Sequence, residues 1–97
     1  MRVTTAKVAA AWQQCKRKTV GNTSTDGFNI YLHGNCIVRT THSGAVYISD
    51  GGWQTATTRE RLNGVLSMMG VKARVSQRDY ALYFNDTPWD GSWLMVR

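Results

Sequence analysis

The sequence predicts an α+β fold: a single small domain over residues 1–97, in the order α-βββ-α-βββ, with antiparallel sheet packed against two helices. Three observations carry that prediction. Apolar residues near the N-terminus recur at helical spacing, and short alternating segments punctuated by Gly, Asn and Ser follow them. The stretch from Trp53 to Asn63 then joins an aromatic residue, a helix start signal and a basic turn at the point where alternation gives way to a second helical pattern.

The first helix is expected over residues 4–17. Val8, Ala11, Trp12 and Cys15 follow the i, i+3, i+4, i+7 rule, with Thr4 as N-cap and Val3 and Val8 as a hydrophobic staple. Residues 19–27 are rich in Gly, Asn, Thr, Ser and Asp, which favour turns, and are expected to form a loop. Strands follow at 28–33, 36–40 and 45–49, joined by two-residue turns at Gly34-Asn35 and Ser43-Gly44. With that register Phe28, Ile30, Leu32, Ile37, Val46 and Ile48 share a face with Arg39. The other face carries Asn29, Tyr31, His33, Cys36, Val38, Thr40, Tyr47 and Ser49.

Thr57 and Glu60 match the S/T-x-x-E capping box. Leu62, Val65, Leu66 and Met69 recur at helical spacing and Gly70 stands where a left-handed C-terminal residue is wanted, so the second helix is expected over 57–69. Val71, Ala73 and Val75 then alternate with Lys72, Arg74 and Ser76, the pattern of a half-buried strand with a basic outer face. Gln77-Arg78-Asp79 is expected to turn, with strands at 80–84 and 92–96 and a loop at 85–91. Residues 28–34 and 80–86 share an order of aromatic, polar or small, apolar, Tyr, apolar, then turn, a faint echo compatible with two half-repeats.

Charge points to anionic partners. The net charge is +6, from 12 Lys and Arg against 6 Asp and Glu, and residues 1–18 hold five basic residues and no acid. No apolar run is long enough for a membrane span or a signal peptide, so no membrane partner and an intracellular site are expected. Cys15 and Cys36 are expected as free thiols, and Cys15, His33, Cys36 and His42 lack the paired spacing of a zinc site.

The enzyme signatures are thin: no phosphate-binding loop, no zinc-protease motif and no nucleophile elbow. His33, His42 and an Asp86/Asp90 pair are the residues with catalytic chemistry, and a structural role is expected of them. No catalytic residue, metal or cofactor is therefore expected. Binding has more support. Tyr31 and Tyr47 on neighbouring strands, with Lys72 and Arg74 on another, combine the stacking surface and positive charge that hold nucleic acid, unless the first helix covers that face. Arg59 and Arg61 in the first turn of the second helix suit an anion there, or else reach into solvent. Of Trp89 and Trp93, one ring is expected in the core and one outside, with Trp89 as the apolar anchor for a partner.

The chain resembles a broad group of small accessory proteins encoded by tailed bacteriophages. The resemblance rests on Asn22-Thr-Ser-Thr-Asp26-Gly27 before a Tyr-bearing hairpin, then Trp53 and Thr57-Thr58-Arg59 leading into Leu62-Asn63, with Thr4-Thr5-Ala6-Lys7-Val8 and Trp12 fitting as well. It covers residues 4–63. What it implies is a protein of the infected bacterial cytoplasm that binds a host protein or a protein–nucleic acid complex. Helix, three strands, helix is also the order of double-stranded RNA-binding domains. Thr57 to Arg61 stand where that family carries its lysine cluster, and three further strands follow, so that name is not adopted.

Overall fold

The computed structural model describes residues 1–97. The chain runs α1 (Val3–Gln13), β1 (Lys18–Val20), β2 (Thr23–Thr25), β3 (Asn29–Leu32), β4 (Asn35–Thr40), β5 (Val46–Ile48), α2 (Ala56–Met68), β6 (Val75–Arg78), β7 (Ala81–Phe84), β8 (Thr87–Pro88) and β9 (Leu94–Met95). This is an α+β domain with two antiparallel sheets. One has six strands in the order β1-β2-β3-β4-β5-β9, and the other has three, β6-β7-β8.

Helix α1 begins one residue before the expected start and stops four residues before the expected end. Arg2 occupies the N-cap position without a side-chain cap, and Val3 is exposed, so the Val3–Val8 staple does not form. At the other end Cys15 turns left-handed, φ 56°. The Lys16 amide then reaches back to the Ala11 carbonyl and the Cys15 amide to that of Trp12, the paired bonds that close a helix C-terminus. The indole of Trp12 donates to both the Phe28 carbonyl and Thr40 Oγ1, fixing α1 across the start of β3 and the end of β4.

The expected loop at 19–27 instead contains the hairpin β1–β2, which turns through Gly21 and extends the meander by two strands. Thr23 and Thr25 are buried on it. Polar composition suggested a solvated loop, but threonine has high strand propensity and its hydroxyl can be satisfied inside: Thr25 donates to the Asn29 carbonyl and Thr23 to Asn22.

The tight turn between β3 and β4 is His33-Gly34, one residue before the expected pair, with both residues left-handed. A bulge then places Ile30 opposite Val38 while Tyr31 stays opposite Cys36, leaving Ile37 as the extra residue. The consequence is a swap of faces. Val38 joins Ile30, Leu32, Val46 and Ile48 in the core, with Ile37 buried beside them, whereas Arg39 points outward and Phe28, ahead of the strand, is exposed. A regular alternation misassigns Val38 and Arg39 because the bulge at Ile37 inverts the alternation over the rest of β4.

Helix α2 is capped by Thr55, whose hydroxyl accepts the Thr58 amide, two residues before the expected Thr57 cap. Gly70 is left-handed, as its position after the helix requires, and the Val71 amide bonds back to Leu66. Leu62, Val65 and Leu66 meet Val8, Ala9 and Trp12 of α1 and the sheet residues in one core, which Val75 and Leu82 extend to the smaller sheet. Residues 71–74 are irregular, so Lys72 and Arg74 precede β6 rather than lie on a strand. The turn after β6 is Asp79-Tyr80, both left-handed, again one residue away from expectation. Strand β9 crosses back to pair with β5 and closes the larger sheet.

Candidate functional site

The helices cover one face of the six-stranded sheet, and the other face presents a row of paired residues: Asn29, Arg39, Tyr47 and Met95 lie opposite one another across β3, β4, β5 and β9. The guanidinium of Arg39 lies 5.6 Å from the ring centre of Tyr47 and 4.9 Å from that of Trp93, within the range of attraction between a cation and a π face. Arg39 is exposed and forms neither of the chain's two ion pairs. Trp93 is 39% exposed and Met95 59%. A flat guanidinium held by two rings loses less freedom on docking than a mobile one, so its edge is prepared for a carboxylate or phosphate.

Tyr31 lies on the same face, half-buried on β3, with β4 between it and Tyr47; the two are not on neighbouring strands as expected. Its hydroxyl donates to Asp26 Oδ2 and accepts from Asn29 Nδ2, both at 3.3 Å. Asp26 also takes the amides of Phe28 and Asn29. Partial burial works against ionisation of that carboxyl, but these hydrogen bonds outweigh it and hold Asp26 below its ordinary range. Tyr31 is thus tied down, whereas Tyr47 packs with Arg39. Cys36 sits opposite Tyr31; burial raises its thiol pKa, and it donates to the Val38 carbonyl. Both cysteines are free.

The basic residues divide between two other places. Arg61 is only 4% exposed. Its Nε donates to Thr23 Oγ1 at 2.8 Å, Nη1 to Thr5 Oγ1 at 3.0 Å and to Glu60, and Nη2 to Asn22 Oδ1 at 3.1 Å. It neither meets solvent nor offers an anion site; it joins α2 to α1 and to the β1–β2 hairpin. Glu60 faces the same seam. It accepts the Thr5 hydroxyl and the Arg2 amide, so the carboxylate expected to cap its own helix caps α1 instead. Burial opposes its charge, yet the bonds from Thr5, Arg2 and Arg61 win and keep its pKa below the ordinary 4.5.

Arg59 and Arg74 come together, one on each wall of a cavity between α2 and the start of β6. Lys72 is exposed on the adjoining rim with Arg74 and Asn85. Neither wall adjoins Tyr31 or Tyr47, so the expected single surface of aromatics and basic residues is two surfaces. Trp89 turns inward: its ring meets Phe84 edge-on, 6.3 Å between centres, and its indole N–H donates to the Ser92 carbonyl. One ring is in and one is out, with Trp93 rather than Trp89 the outward one.

The Kyanoviridae Gp96 protein family matches residues 1–95. The chain belongs to that family. Kyanoviridae are tailed phages, so this member is a small phage protein, as the resemblance implied. No curated protein and no solved structure matches it. No helix is long and apolar enough to cross a membrane. His33 lies in a tight turn and His42 in an exposed loop, while Asp86 pairs with Arg78 and Asp90 with Ser92.

Sequence reasoning missed Arg39 and Trp93. The signal for Trp93 was its place four residues after Trp89 in a short segment, and the signal for Arg39 was a charge in a strand otherwise destined for the core. An arginine among core positions is a warning that the register slips.

Proposed function

We propose that this phage protein acts by non-catalytic binding in the cytoplasm of the infected bacterium, and that its partner is a host protein or a protein–nucleic acid complex. The observation that carries the reading is Arg39 within cation–π range of both Tyr47 and Trp93 on the sheet face the helices leave uncovered. Trp, Tyr and Arg are the residues most enriched where interfaces concentrate their binding energy. A single cation on that patch, with apolar Met95 beside it, suits an acidic side chain in an apolar setting better than a phosphate backbone, which needs many cations in a track. The phage origin supports a host-directed, inhibitory role for such binding.

The test is capture of partners from bacterial lysate on the tagged protein, with and without nuclease. One host complex should be retained after nuclease treatment and should be lost with Trp93→Ala or Arg39→Ala, both folded by circular dichroism. Retention by both variants would sink this surface as the site.

Direct nucleic-acid binding is the second reading, favoured by exposed Lys16, Arg17 and Lys18 leading into edge strand β1. It predicts recovery of nucleic acid alone and an affinity that falls by orders of magnitude as salt rises, roughly 0.9 logarithmic units per phosphate contact per decade of salt.

A further inference from the structure

The cavity between α2 and β6 holds about 520 Å³, within the range of small-molecule sites. One wall is a stripe of α2 at helical spacing, Arg59, Asn63 and Ser67 with Gly64 beside them; the other is residues 74–77. Asn63 locks the walls together, donating to the Val75 carbonyl at 2.9 Å and accepting its amide at 2.7 Å. Arg74 is positioned in turn by Asn85, whose side chain takes the Arg74 amide and whose amide bonds to the Arg74 carbonyl. The walls are therefore fixed, and the small side chains at Gly64 and Ser67 leave the space between them open.

Arg59, which lines the cavity, carries one atom with no hydrogen-bonding role in the fold. Arg59 Nη1 is buried and has no hydrogen-bond partner, the single side-chain nitrogen or oxygen in that condition in the chain. Buried guanidinium donors are normally satisfied, and a charged one left unpaired is costlier than a neutral one. Glu60 also borders the cavity, but Thr5, Arg2 and Arg61 occupy its oxygens and Arg61 balances its charge. Arg74 has no ion-pair partner. The local balance is two uncompensated guanidiniums.

We propose that this groove binds a phosphomonoester, whose phosphate bridges Arg59 and Arg74. A monoester approaches two negative charges near neutral pH and offers three acceptor oxygens, which matches two guanidiniums; a carboxylate or an internal phosphodiester brings one charge. The volume exceeds a bare phosphate and admits a small phosphorylated body such as a sugar phosphate or nucleoside monophosphate. This site is separate from the Arg39 surface, so either can fail without the other.

The experiment is an amide NMR titration of the full chain with adenosine monophosphate, with inorganic phosphate, and with adenosine as the uncharged control. Saturable shifts at Arg59, Gly64, Ser67 and Ser76 are expected with the first two probes and not with adenosine. Arg59→Gln and Arg74→Gln should each weaken the monophosphate about tenfold, the loss of one charge-assisted contact. Arg74 is exposed, so its variant keeps the fold even where Arg59→Gln does not, and an unchanged affinity in Arg74→Gln overturns the proposal. So does an equal response to adenosine, or no saturable shift with either phosphate probe.

Discussion

Arg59 and Arg61 stand two residues apart on one helix, in the same sequence context, and the fold uses them in opposite ways. The seam around Arg61 is closed: four of its donor positions are engaged by Thr23, Thr5, Glu60 and Asn22, and three elements meet there. The groove around Arg59 is open, with a buried nitrogen that nothing in the chain satisfies. A helix turns about 100° per residue, so a step of two carries a side chain to nearly the opposite side. What decides an arginine's role is which neighbour that rotation gives it, and residue type says little about it.

The largest expected effect separates the two regions. Arg61→Met leaves Glu60 as a partly buried carboxylate without its counter-ion and removes the partner of Thr23 and Asn22. Breaking such a pair by deleting one member costs about 3–5 kcal/mol, a large part of the stability of a domain this size. Arg59→Met removes an unsatisfied donor and leaves its stem to pack, so it should change stability by less than about 1 kcal/mol. Urea unfolding of both variants decides the matter; equal losses would mean that the two arginines are equally structural.

A methyl group at Gly64 probes the line where seam and groove meet. Its Cβ would press on Thr5 Cγ2 and approach Met1. Thr5 cannot rotate away without giving up its bonds to Glu60 and Arg61. Gly64→Ala should therefore cost about 1–3 kcal/mol from overpacking, offset in part by the roughly 1 kcal/mol that alanine gains over glycine inside a helix. A stabilised variant, measured by thermal unfolding, would show that α1 and α2 can separate there without loss.

The pH dependence of stability gives a third, smaller difference. Glu60 titrates lower in the folded protein than in the unfolded chain, so its ionised form favours folding. That contribution is complete above the ordinary value of 4.5 and fades as pH falls through it toward the folded value. Between about pH 5 and pH 3 the wild type should lose stability more steeply than Glu60→Gln. Parallel profiles would place the carboxylate outside the seam.

Much of this fold is readable from periodicity. Leu62, Val65 and Leu66 announce α2, Gly70 announces its end, and the β3–β5 meander follows from alternation. What escaped has specific physical causes. The β1–β2 hairpin is written in threonines that fit a strand as well as a loop. The bulge at Ile37 adds one residue whose only mark in the sequence is the charge it turns outward, and it exchanges Val38 for Arg39. The Thr55 cap lost to Thr57 because the capping box looked complete, while Glu60 was serving a helix 55 residues earlier through Thr5. Partners that are distant in sequence decide side-chain roles, and local patterns do not contain them. The candidate sites suffered most for this reason: Arg59 and Arg74 were named, but nothing local joined them, and Trp93 was passed over for Trp89.

The smallest effect tests whether local strain lies apart from both regions. In the β6–β7 turn Asp79 and Tyr80 are both left-handed, φ 50° and 66°, and Tyr80 is 94% exposed. A two-residue hairpin turn of this kind favours glycine at its second position, because a Cβ there crowds the following carbonyl. The Tyr80 ring is almost wholly in solvent, so little packing offsets that crowding. Tyr80→Gly relieves about 1 kcal/mol of backbone strain but gives the unfolded chain more freedom to lose, so a gain of a few tenths up to about 1 kcal/mol is expected. Thermal unfolding of the variant measures it. A clear loss would mean that the ring contributes a contact worth more than the strain it imposes, and would make the hairpin tip a third region with work of its own.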